Sequence, residues 1–365
     1  MIDLDKFRDP VIAKKLVARI ESLGDRPYAF MEVCGTHTMA ISQFGIRGLI
    51  PKSIRLLSGP GCPVCVTALS DIDRMIAIAE LKDVTFATFG DMVRVPGSQT
   101  SLREARTRGA DVRVVYSPLD ALQMAAENPG KQVVFAGVGF ETTSPTILAT
   151  VLEAKDRGIS NFTVYPAFKT VPNALRAILN SGRTRIDGFI CPGHVSAIIG
   201  SKPYRFIPGE YKMPCVIAGF EPLDILESIV MLLEQVRSCK TGGMPCSVQT
   251  EYRRGVPDQG NPHALALIDR VTQPCTAEWR AIGSIPDTGL CFREDYLDFD
   301  ANRRFDITVP PAEEPQGCIC GQVMMGLNQP DECGMFGKAC TPESPVGPCM
   351  VSSEGACAAW YKYKS

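Results

Sequence analysis

From about Pro27 to Gln235 the chain alternates short apolar runs with amphipathic stretches, and this alternation restricts its fold more than any other feature. The runs Tyr28–Val33, Ile54–Ser58, Val84–Phe89, Val112–Tyr116, Val133–Phe140, Phe162–Tyr165, Gly188–Cys191 and Val216–Phe220 are rich in Val, Ile and Phe and end at Gly, Pro or Cys. Between them, Asp71–Leu81 sets Ile72, Met75, Ile76 and Ala79 at helical spacing, and Pro145–Lys155 and Pro222–Val236 read the same way. Strands that are apolar almost throughout, alternating with helices, predict parallel sheets covered on both faces. The expected class is α/β.

One internal echo suggests how many units there are. VVYSPLDAL (Val114–Leu122) resembles VIAGFEPLDIL (Val216–Leu226), each a strand and then Pro-Leu-Asp opening a helix, where proline's missing N–H is not needed. With 365 residues, and domains of ~100–200 residues, the chain is expected to form two similar parallel-sheet domains facing a cleft, over residues 1–125 and 126–240. Residues 241–307 read as connecting segments packed on these domains: a Gly/Pro-bearing link, a helical Pro262–Val271 and an irregular strand over Trp279–Phe292. Residues 308–365 are dense in Pro, Gly and Cys and supply too little apolar area to fold alone, so they read as a small metal-organised module.

Composition removes several functional classes. The formal net charge is −2, which argues against broad binding of nucleic acid or of an anionic membrane. No apolar run approaches the ~18 residues of a membrane span. The N-terminal MIDLDKFRDP carries acids early and lacks the apolar stretch of an export signal, so the expected location is the cytoplasm. Fifteen cysteines are anomalous there, because structural disulfides are not expected in a reducing compartment. Clustered cysteines then read as metal ligands or redox thiols.

The unusual residues follow the strands, where open α/β sheets carry their functional loops. Cys34-Gly35-Thr36-His37 follows the first, and a thiol at such a strand-to-helix turn is expected to have a lowered pKa and to act as nucleophile or soft-metal ligand. Gly59-Pro60-Gly61-Cys62-Pro63-Val64-Cys65 follows the second, and its C-x-x-C reads as a thiol-redox pair or a metal clamp. Glu141 and Glu221 each follow Gly-Phe at a strand end, and each reads more simply as a helix-start carboxylate than as a base. His194, in Pro-Gly-His, divides between facing a ligand and serving its turn. Gly137-x-Gly139 lacks the third glycine of a dinucleotide fingerprint, and there is no phosphate-binding P-loop. In the C-terminal module Cys320, Cys333, Cys340 and Cys357 form C-x12-C-x6-C-x16-C, with Cys318 and Cys349 as spares. Zinc ribbons pair their ligands two to four residues apart, so this spacing favours a [4Fe–4S] cluster.

MEVCGTHT, GPGCPVC, GFETTSP, PGHVS, AGFEPLD and MVSSEGACAAW together resemble the HypD family of [NiFe] hydrogenase maturation proteins, over essentially the whole chain. The resemblance implies two α/β domains around a cleft, a C-terminal [4Fe–4S] cluster and a part in assembling the Fe(CN)2CO group. It implies a HypC-type chaperone that shares the iron and a HypE-type donor that carries cyanide as a thiocyanate. Carried over motif by motif, Cys34 is the thiolate for Fe(II), Cys62 and Cys65 are a redox or iron-binding pair, and His37, Glu141 and His194 line the cleft. Cys320, Cys333, Cys340 and Cys357 hold the cluster. Met39 stands where the family commonly has a second histidine, and Cys191 is a further thiol expected near the cleft. The chain is then a redox-active scaffold more than a turnover enzyme. A thiol–disulfide oxidoreductase fed by an iron–sulfur cluster is the alternative from another class, and a zinc-stabilised interaction protein a third.

Overall fold

A computed structural model describes residues 4–363. Residues 1–3 and 364–365, the outer ends of the first and last expected segments, lie outside the described residues. Among the described residues, two wholly parallel sheets and one hairpin make up the strand content. The strands are β1 (Tyr28–Glu32), β2 (Ile54–Ser58), β3 (Val84–Thr88), β4 (Asp111–Val114), β5 (Gln132–Gly139), β6 (Phe162–Phe168), β7 (Gly188–Pro192), β8 (Cys215–Ala218), β9 (Val248–Thr250), β10 (Thr272–Trp279) and β11 (Gly283–Phe292). All eight apolar runs are strands. β10 and β11 form an antiparallel hairpin in place of the single irregular strand expected there.

The first sheet has the order β2-β1-β7-β8-β9 and the second β4-β3-β5-β6. The chain therefore leaves the first sheet after β2, builds the second from one continuous stretch, and returns at β7. This departs from a division near residue 125, which would separate β4 from β5 although both flank β3 in one sheet. It would also separate β1 from β7, which pair through Phe30–Glu32 and Gly188–Ile190. The echo does mark equivalent units. Asp120 caps the backbone N–H of Ser117 at 3.0 Å after β4, and Asp224 caps that of Glu221 at 3.1 Å after β8.

Apolar side chains on both sheet faces meet helices, as parallel strands require. Helices Pro10–Leu23 and Pro222–Lys240 cover one face of the first sheet together, joining Ile20, Phe30, Ile190, Val216, Leu226 and Ile229 in one core. Helix Pro262–Val271 matches its sequence-predicted span residue for residue. The C-terminal segment is not set apart. Cys320, Met324, Cys340, Cys349, Met350 and Cys357 share a core with Met31, Cys62, Cys65 and Trp279. Its last helix, Ala356–Tyr363, packs on helix Gly35–Gln43. Among the described residues no helix is long and apolar enough to cross a membrane.

Candidate functional site

β1 and β2 are neighbours, so their carboxyl ends deliver the Cys34 and Cys62 loops side by side. Glycines bring the two backbones into contact. Gly59 donates its N–H to the Glu32 carbonyl at 2.7 Å, and Gly35 donates to the Gly61 carbonyl at 3.0 Å. A Cβ on Gly61 would lie 2.3 Å from the Cys34 nitrogen, so only glycine fits there.

Cys34 occupies the N-cap of helix Gly35–Gln43 and is buried. Its thiol is not acidified as the turn position suggests. Burial pushes it up to about 12, with the Glu354 carboxylate acting in the same direction. The backbone N–H groups of His37 and Thr36 do favour the thiolate, but desolvation outweighs them. Beneath Cys34 lies Glu32, fully buried, whose Oε2 accepts the Cys34 backbone N–H at 3.1 Å and whose Oε1 is bonded by the Thr38 hydroxyl. Burial raises the Glu32 carboxyl to about 7 against these hydrogen bonds.

His37 is fully buried, and its Nε2–H donates to the Gly219 carbonyl at 2.8 Å. That bond fixes the tautomer and leaves Nδ1 with a lone pair and no partner. Burial lowers its pKa to about 4, so the ring is neutral. Phe220 stacks on His37 at 4.8 Å and on His194 at 3.8 Å, which places His194 on the exposed side of the same aromatic stack.

Cys62 caps the short helix Pro63–Val66, its Sγ accepting the Cys65 N–H at 3.2 Å, and both thiols are buried. Cys65 and Cys349 border one space with Cys62, and all three share a buried core with Cys320, Cys340 and Cys357. A small cavity is bordered by Gly35, Gly61, Cys62, Cys65, Cys349 and Glu354. A second small cavity is lined by Cys318, Cys320, Cys333, Cys340 and Cys357 with Ile319, Met335, Phe336, Val346 and Met350. Among the described residues no three His, Cys, Asp or Glu side chains are gathered to hold a single metal ion. An iron–sulfur cluster asks instead for several thiols around one point in apolar surroundings, and the second cavity has that donor set.

Three expected placements differ. Glu141 does not line the cleft between the sheets. Its Oε1 accepts the Val171 N–H at 2.9 Å, its Oε2 is buried without a partner, and burial raises the carboxyl to about 7. The open cleft beside it is bordered instead by Pro63, Val64, Tyr116, Thr143 and Glu354. Cys191 is in the core of the first sheet against Cys215, not at a cleft edge. Cys239 and Cys246 are disulfide-bonded in the link to β9, where no structural disulfide was expected.

Two acidic residues at the site, Glu32 in MEVCGTHT and Glu354 in MVSSEGACAAW, lie in the quoted motifs but receive no role from them. Glu32 ends an apolar strand, and a carboxylate there is itself the signal, since burying it is costly. Glu354 reaches across from the C-terminal segment to accept the Thr36 hydroxyl at 2.8 Å. Its only signal is its place in the Ser-Ser-Glu-Gly run.

A family model described as "HypD: Hydrogenase formation hypA family" matches residues 11–364. Hydrogenase maturation factor HypD of Rhodobacter capsulatus is 46% identical over 370 residues, covering 98% of this chain and 97% of that protein. Hydrogenase expression/formation protein HupD of Azotobacter chroococcum mcd 1 is 44% identical, with 99% and 96% covered. Hydrogenase maturation factor HypD of Escherichia coli (strain K12) is 43% identical, with 99% and 98% covered. With similarity of this extent running along nearly its whole length, the chain belongs to the HypD family.

Proposed function

We propose that this chain is a cytoplasmic hydrogenase maturation factor on which the Fe(CN)2CO group is assembled with a HypC-type chaperone and a HypE-type cyanide donor. The observation that carries the reading is the single buried core that gathers Cys62, Cys65, Cys349, Cys320, Cys340 and Cys357. It links a dithiol beside Cys34 to a thiol-lined cavity with the donor set of an iron–sulfur cluster.

Iron is the cargo. Low-spin Fe(II) carrying cyanide and CO is soft, and the Cys34 thiolate suits it. Cys34 is protonated while buried alone, so metal binding displaces its proton, as thiolate ligation generally does. His37 turns its unprotonated Nδ1 away from the carbonyl that fixes the ring, the arrangement of a ligand held from behind. Cys333, Cys340, Cys357 and one sulfur of the adjoining Cys318–Cys320 pair would hold a [4Fe–4S] cluster. The cluster, when bound, supplies and accepts single electrons. Freeing cyanide from a thiocyanate takes two electrons and leaves the donor's thiolate. Cys62 and Cys65 can furnish both by closing to a disulfide, which releases two protons.

The test is the infrared spectrum of the anaerobically purified complex with the chaperone, together with iron and sulfide analysis. Cyanide and CO bands with four irons and sulfide are expected. Zinc in place of iron and sulfide overturns the reading. A cluster without diatomic bands moves the protein to the thiol–disulfide oxidoreductases.

A further inference from the structure

The turn between β10 and β11 carries a cation into the interior with part of its hydrogen-bonding capacity unused. Arg280 is 2% exposed. Its backbone N–H donates to the carbonyl of Val66, the residue after Cys65, at 3.0 Å. Its Nε donates to both carboxylate oxygens of Glu314, each at 3.1 Å, and its Nη1 to the Pro96 carbonyl at 3.2 Å. Nη2 is buried and has no acceptor. Glu314 lies shortly before Cys318 in sequence. Ala281 lies against Gly321, where an added Cβ would come within 2.4 Å of the Ala281 Cβ. Arg280 is thus fastened by its backbone to the C-x-x-C helix and by its guanidinium to Glu314, while its neighbour Ala281 sets it beside Gly321, the residue after Cys320.

A buried guanidinium is costly unless it is fully paired. Glu314 is about one-third exposed and answers only part of this charge. The rest calls for a further anion, and among the described residues the structure offers Nη2 none.

We propose that Arg280 is a positioning residue that places a fixed positive charge beside an anionic thiolate-bound iron–sulfur cluster and makes that cluster easier to reduce. This rests on the cluster assigned under the proposed function. Such a cluster gains negative charge on reduction, so a neighbouring cation held away from water stabilises the reduced form more than the oxidised one. A residue with only a structural role would change folding or cluster content and leave the potential alone.

The experiment is an EPR-monitored redox titration of the anaerobically purified full chain, with iron and sulfide measured in parallel. Wild type, Arg280→Gln, Arg280→Lys and Glu314→Gln are compared. Arg280→Gln is expected to keep the cluster and to disfavour its reduction about tenfold, a fall of about 59 mV for one electron. Arg280→Lys should recover most of the wild-type value. Glu314→Gln removes the opposing charge and should move the potential upward, so it decides the matter if Arg280→Gln does not fold. Unchanged midpoints in cluster-bearing variants overturn the inference alone. Wild-type protein without iron and sulfide overturns the cluster reading and this inference with it.

Discussion

Glu32→Gln is expected to stabilise the protein in alkaline solution and to leave it nearly unchanged in acid. The Glu32 carboxyl is fully buried and raised from 4.5 to about 7, mainly by desolvation. Between those two values the folded protein holds a proton that the unfolded chain has released. The stability this group contributes is therefore complete below about pH 4.5 and is lost as pH rises through about 7. At about 1.4 kcal/mol per pH unit, the loss comes to about 3 kcal/mol. Glutamine has the shape of the protonated acid at every pH. Its amide oxygen can accept the Cys34 N–H now taken by Oε2, and its NH2 can face the Thr38 hydroxyl. Urea unfolding of both proteins at pH 5 and pH 8, followed by fluorescence of the buried Trp279 and Trp360, measures the difference. Glu141 and Glu251 are also raised to about 7, but they act on both proteins and cancel to the extent that the sites are independent. The variant should gain up to about 3 kcal/mol over wild type between pH 5 and pH 8. Parallel stability curves across that range would show that Glu32 is ionised in the folded protein and that its hydrogen bonds, not its burial, set its charge.

How the chain distributes its strands was harder to see than the strands themselves. Each of the eight apolar runs carries its own signal in composition and length. Which sheet a strand joins depends on pairings between distant segments, such as β1 with β7, and nothing local to Tyr28–Glu32 announces that partner. The echo pointed to two like units, and the capping aspartates Asp120 and Asp224 explain why those residues repeat. It could not reveal that one unit is inserted in the other, because an insertion changes connectivity and leaves local patterns intact.

At the site, residue type was legible and environment was not. Cys34, Cys62 and Cys65 stood out as thiols after strands, and adjacency of β1 and β2 brings their loops together. The acidity expected of Cys34 failed because the sequence shows the helix start but not the Glu354 carboxylate or the depth of burial. Glu141 was expected to face the cleft, but it turns inward to the Val171 N–H. Its fixed place at a strand end settles the position of its Cα, not the direction of its side chain. Cys349, a spare by its spacing, lies in one core with Cys65 and Cys320, a neighbourhood that spacing alone does not express.

Further outcomes follow from the same contacts. Cys34→Ser should leave the fold and the C-terminal cluster in place but abolish the cyanide and CO infrared bands of the chaperone complex, since a hydroxyl is a harder and less acidic ligand; persistence of the bands would move the iron elsewhere. Cys62 and Cys65 should close to a disulfide without unfolding, seen as two fewer titratable thiols after mild oxidation, with both sulfurs mapped to one linked peptide. Cys333→Ala and Cys340→Ala should lose the brown absorbance and melt earlier, because cluster binding and folding are coupled there, whereas Cys349→Ser should keep the colour; of Cys318→Ser and Cys320→Ser, only one should lose it. Gly61→Ala should damage iron retention although it removes no ligand. The new Cβ would lie 2.3 Å from the Cys34 nitrogen, 2.5 Å from its Cα and 2.6 Å from the Val33 carbonyl carbon, all backbone atoms with no side chain free to swing aside. The loops bearing Cys34 and Cys62 must then part, at a cost of roughly 1–3 kcal/mol in stability. Gly48→Ala is the control, because a Cβ there meets nothing within 4 Å. If Gly61→Ala melts with Gly48→Ala and binds iron as well, the close approach of the two loops is not what sets the iron site.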